Sequence, residues 1–229
     1  MLAVGRDDCQ HNPLEFLGVG MHSRGRRCYP CGVGMDLVAV TSLKQFFKSL
    51  LDEALGQTGL DVAEVTEFYL ANLLAEFAAA DRLFAPDEAG GPGEPLAVLY
   101  HRAQAAEREE RIRILRRLGD VSLYKAGFFA GALRASVVGQ GYTIDMGRAA
   151  YTQVAVLAGG GFGEVYDELG RKFRPLVDVL EGIAARSAAR SSPSGALRIY
   201  ESWRRTGSDT LETVLVDAGL LPPRGGLPN

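Results

Sequence analysis

A chain of 229 residues that is 47% hydrophobic and 23% charged can bury one ample core, and we expect one domain. Its net charge of −3 argues against general nucleic-acid binding, which relies on a basic excess to neutralise phosphates. No run approaches the roughly 18 consecutive apolar residues of a membrane span, and no charged-then-apolar leader opens the chain, so a cytoplasmic location is expected.

Residues 1–34 show neither a helical nor a strand period and are interrupted by Gly5, Pro13, Gly18, Gly20, Gly25, Pro30, Gly32 and Gly34. They are expected to be an unstructured or non-native extension, with Met35 the native start. Among the basic residues only Lys44, Lys48, Lys125 and Lys172 are lysine, and with abundant Ala, Gly and Arg this suggests a GC-rich bacterial coding bias, in which open frames run upstream past true starts. The competing reading is a zinc knuckle built on Cys28 and Cys31 with Cys9, His11 or His22, but a second ligand pair at comparable spacing is missing. A redox role for Cys28-Tyr-Pro-Cys31 is weaker still, because the pair runs into glycines and not into a helix.

Ser42 and Gln45 form a capping-box signal ahead of Leu43, Phe46, Phe47, Leu50 and Leu51, the stripe of a first helix that stops near Gly56 to Gly59. Asp61 with Glu64 opens a second, apolar most of the way round from Val62 to Phe77 and therefore central. Residues 85–95, rich in Gly and Pro, read as a flexible connection. From Pro95 a long helix is expected to reach Leu118 and end at Gly119. Asp120 or Ser122 would cap the next, with Ala126, Phe129, Ala130, Leu133 and Val137 on one face until Gly139 and Gly141. Thr143 opens a fifth, with Tyr151 and Val154 on its stripe, that runs to the Gly159–Gly161 turn. A sixth spans about Gly163 to Arg190, kinked or split by Gly170 and Pro175. Ser194 caps a seventh, ended by Gly207, and Asp209 with Glu212 caps the last, ended by Gly219. The pattern predicts an all-α, bundle-like domain of seven or eight antiparallel helices over residues 35–222, with a tail at 223–229.

Chemistry is sparse. Arg102, Arg108, Arg111, Arg113, Arg116 and Arg117 alternate with Glu107, Glu109 and Glu110, the pattern of a solvated helix face laced with i, i+4 pairs; an anion site centred on Arg113, Arg116 and Arg117 is the functional alternative. Gly127 and Gly131, one turn apart, would let a following helix carrying Gly147 and Ala150 approach closely, and Gly131→Leu should then overpack that contact. Between these helices fall Tyr124, Arg134, Tyr142, Asp145, Arg148 and Tyr151, the candidate polar lining of a pocket between 120–138 and 143–158; a local Asp145–Arg148 pair and tyrosines with buried rings would account for them without a ligand. His101 is the only histidine after residue 34 and has no metal-ligand spacing to its neighbours, and Gly159-Gly-Gly-Phe-Gly163 lacks the ending of a phosphate loop. Nothing in the pattern calls for a metal or cofactor. The expected function is binding, to a protein partner or by self-association; the alternative is a small-ligand protein, for an anionic molecule, or a cofactor-independent enzyme.

Overall fold

A computed structural model describes residues 35–78 and 94–222, with side chains from Leu43 onward. The extension at 1–34 with its cysteines, most of the 85–95 connection and the tail from residue 223 lie outside the described residues. Among the described residues every element is helical: α1 (Met35–Thr58), α2 (Glu64–Ala78), α3 (Leu96–Ala105), α4 (Arg108–Phe128), α5 (Ala130–Ala135), α6 (Gln140–Ala158), α7 (Gly160–Arg171), α8 (Phe173–Ser191), α9 (Pro193–Thr206) and α10 (Asp209–Asp217). The all-α class is as the periodicity predicts, while ten helices replace the expected seven or eight because several stretches break where composition gives little sign.

The first break replaces the long helix from Pro95 to Leu118. Ala106 and Glu107 are extended, and Arg111 turns back to donate from Nε to the Ala103 carbonyl at 2.9 Å and from its terminal nitrogen to the Ala106 carbonyl at 3.0 Å. A guanidinium expected to pair along its own helix instead satisfies the orphan carbonyls at the end of α3. Gly119 is likewise no stop: α4 runs through it. A Cβ at Gly119 would lie 2.5 Å from the Tyr151 ring, so this glycine is needed for close approach of α6. Gly147 of α6 repays the contact from the other side, where a Cβ would strike Phe173 and Ser122.

The close approach thus runs through Gly119 and Gly147, which corrects the expected Gly127 and Gly131 contact. Gly127 faces Leu180 of α8, and a Cβ at Gly131 would meet nothing. The sixth helix splits at Lys172, ahead of Pro175, into α7 and α8. Gly159 and Gly160, both at positive φ, turn α6 directly into α7. Ser192, not Ser194, caps α9 by accepting from the Gly195 N–H at 3.0 Å, with Pro193 in the first turn; Ser208 caps α10 one residue before Asp209; and Gly207 and Gly219 end α9 and α10 in the left-handed conformation as expected.

One core joins α1, α2, α3, α4, α6, α7 and α8 around Phe47, Leu70, Leu115, Leu118, Tyr151 and Phe173, all at most 1% exposed. A small satellite of Ala185, Leu211 and Val214, covered by Ile199 and Trp203, holds α9 and α10 against α8. No helix among the described residues is long and apolar enough to cross a membrane.

Candidate functional site: a groove between α2, α4 and α7

Three helices leave a groove of about 1180 Å3 between them. From α2 come Val65, Phe68, Tyr69, Leu73 and Phe77; from α4 Arg113, Arg116, Arg117 and Asp120; from α7 Phe162, Val165 and Tyr166. The α4 set is spaced i, i+3, i+4, i+7, so one helix face carries three guanidinium groups and a carboxylate into one cavity. Val65, Phe68 and Phe162 stand 66%, 61% and 78% exposed at the rim, whereas Leu73, Phe77 and Tyr166 are buried below them.

Asp120 organises the polar end. Its Oδ1 accepts the Tyr69 hydroxyl at 2.6 Å and the Tyr151 hydroxyl at 2.7 Å, tying α2 and α6 to α4. Tyr166 completes an aromatic cage, its ring centroid 5.6 Å from that of Tyr69 and 5.8 Å from that of Tyr151. Burial pushes the Asp120 carboxyl up from 3.8 to about 6, against the tyrosine hydrogen bonds and the Arg116 and Arg117 charges, which pull the other way. Burial, joined by the Asp120 charge, holds the Tyr69 and Tyr151 hydroxyls well above the ordinary tyrosine range, so both stay donors. For Arg116 burial works downward, and the Asp120, Tyr166 and Tyr69 oxygens outweigh it to raise the guanidinium above its usual value. Arg117 stacks over Phe77, 5.0 Å from the ring centroid.

Glu168 closes the α7 end. It accepts from the Thr66 hydroxyl at 2.6 Å, the Ala63 N–H at 3.2 Å and the Lys172 ammonium at 2.8 Å, so a carboxylate on α7 serves as the N-terminal cap of α2. Burial raises this carboxyl, but Lys172, Thr66 and Ala63 together draw it below the ordinary glutamate value.

The six residues proposed from sequence spread over three environments. Tyr151 is fully buried and reaches the groove through Asp120; Tyr124 is buried against Phe77, Phe128 and Phe129, with burial raising its hydroxyl to about 12. Arg134 donates from one terminal nitrogen to both oxygens of the buried Glu181, at 2.7 and 2.8 Å, and from Nε to Gln140 at 3.0 Å, pinning α5 to α8 and α6. Tyr142, Asp145 and Arg148 are exposed on α6, the last two in a local pair at 3.7 Å. None of the six lines the groove itself. Sequence reasoning missed Tyr69 and Asp120, read as core and capping positions, and gave Tyr166 no reading, although it weighed Arg113, Arg116 and Arg117 as an anion site. Their signal was the helical spacing of those arginines with Asp120. No group of three or more His, Cys, Asp or Glu able to hold a metal occurs among the described residues, and His101 is exposed on α3 away from the groove.

The chain matches no protein-family profile, no curated protein and no solved structure.

Proposed function

We propose that this protein binds a small amphipathic molecule in the α2–α4–α7 groove, its apolar body along Phe68, Phe77 and Phe162 and its anionic group at Arg113 and Arg116. The observation that carries the reading is the make-up of the groove: an apolar trough of Phe68, Leu73, Phe77 and Phe162 runs beside the exposed Arg113 and Arg116 and ends at Asp120 with the Tyr69 hydroxyl, the mix of apolar wall and a few placed polar groups found where proteins hold small molecules. A guanidinium suits the head group because it offers a planar fork to a carboxylate, sulfonate or phosphate.

Titration calorimetry and thermal melting with octane-1-sulfonate, kept below its micellar range, test this against octyltrimethylammonium. The sulfonate should bind and raise the melting temperature, by about 2.7 kcal/mol of stabilisation at a hundredfold excess over Kd, and Arg113→Ala with Arg116→Ala should remove most of that gain. Equal binding of the cation, or no binding of either, overturns the reading. The exposed rim is what supports the earlier expectation of a protein partner; failure of the small amphiphiles would return the groove to that role.

A further inference from the structure

The groove's charges are closely balanced. Its lining carries Arg113, Arg116 and Arg117 together with Glu76, Glu164 and Asp120, while Glu168, the remaining lining carboxylate, is matched by Lys172 at 2.8 Å. With three guanidinium groups against three carboxylates, a single proton turns an evenly balanced lining into one of net positive charge. Asp120 is the carboxylate placed to take that proton. It lies among groups from four helices: Tyr69 of α2, Tyr151 of α6, Tyr166 of α7, and Arg116 and Arg117 of its own α4. Both tyrosine hydroxyls converge on Oδ1, so Oδ2 is the oxygen that can be protonated without breaking either hydrogen bond.

We propose that Asp120 couples ligand binding to proton uptake, its protonation removing the charge opposed to Arg116 and so strengthening the groove's hold on an anion. The inference rests on the amphiphile-binding reading and adds its regulation: the site fills in mildly acidic surroundings and releases its ligand as the pH rises. Linkage requires the reverse as well, since a bound anion close to Asp120 raises the proton affinity of the carboxyl. Burial already brings the empty site's carboxyl to about 6, which puts the transition within reach of ordinary physiological change.

Octane-1-sulfonate is the probe, because its own charge does not change over the range. Its affinity would be measured by calorimetry from about pH 5 to about pH 8, in two buffers of different ionisation enthalpy. If the bound anion raises the Asp120 carboxyl by about one pH unit, the intact protein should bind about eightfold more tightly at the acid end and take up about half a proton near pH 6.5. Asp120→Asn should bind with one affinity throughout and take up none. His101 is exposed on α3 and outside the groove, so His101→Gln should keep the slope. Binding by the intact protein with no pH slope overturns the coupling and leaves the binding reading standing, whereas absence of binding at every pH removes both. A slope that survives in Asp120→Asn assigns the proton to another group and overturns the proposal. Should that variant not fold, the proton count of the intact protein decides, and zero uptake sinks it.

Discussion

Replacing Asp120 by Asn tests whether its carboxyl is held where burial puts it. A carboxyl raised from 3.8 to about 6 contributes stability that is fully present below 3.8 and is lost as the pH rises through about 6, because the unfolded chain gives up its proton more readily than the folded one. Integrating that difference, the ionised form costs the fold about 3 kcal/mol at pH 7.5 and about 1 kcal/mol at pH 4.5. Asn is neutral at both, and its Oδ1 can still accept from Tyr69 and Tyr151. Relative to the parent, Asp120→Asn should therefore gain about 2 kcal/mol between the two pH values, whatever offset the lost charge-assisted hydrogen bonds and the Arg116 contact impose at either. Taking the difference between the two proteins removes the titration of every other carboxylate. Urea denaturation of both at each pH measures it. A difference that stays constant within about 0.5 kcal/mol would mean that Asp120 does not titrate in this interval, and the account of its burial would be wrong.

Two further substitutions examine the frame around the groove. Gly131→Leu should change stability by less than about 0.5 kcal/mol because open space surrounds it, while Gly119→Ala should cost about 1 to 3 kcal/mol by driving a methyl into the Tyr151 ring; equal effects in thermal melts would contradict the α4–α6 packing. Glu168→Gln should lower stability at pH 7 by about 1 kcal/mol, the scale of a lost helix cap. Since the folded carboxyl lies below 4.5, the parent keeps this advantage above that value and loses it as the pH falls further, so the two proteins should converge in acid; a gap that persists there would show that the charge is not the source.

Helix class and the glycine stops at Gly207 and Gly219 were legible because they follow from local apolar spacing and from the left-handed conformation that glycine tolerates, whereas α2, expected to be central, leaves Val65 and Phe68 exposed. The breaks at Ala106 and Phe129 were not legible. Ala106 and Glu107 are ordinary helix residues, and what closes the break is Arg111 folding back onto the carbonyls at the end of α3, a side-chain contact that apolar spacing does not reveal. Gly119 was misread for a related reason. A glycine after a long periodic run is as good a sign of a stop as of a close crossing, and only Tyr151, far along the chain, distinguishes them. Gly127 shows the same ambiguity: it does make a close contact, but with Leu180 of α8 and not with α6.

Asp120 shows most clearly why the site itself escaped a reading by spacing alone. Just after a glycine it has the form of a helix cap, and Tyr69 and Tyr151 have the form of core tyrosines; each assignment is locally sufficient. Their meaning arises only when three helices bring the two hydroxyls to within 2.7 Å of one carboxylate oxygen at the edge of a cavity. As a means of joining helices the cluster is a poor choice, since an ionised carboxylate there costs stability that an Asn of the same shape would not. A choice that conflicts with its surroundings in this way is what the groove reading expects of a functional position. The same reasoning separates Asp120 from Glu168: the latter is a charge whose partners lower its proton affinity and stabilise the fold, the former a charge whose surroundings raise it. Two carboxylates lining one groove are pushed in opposite directions, and only the one whose proton affinity is raised can respond to a ligand's charge near neutral pH.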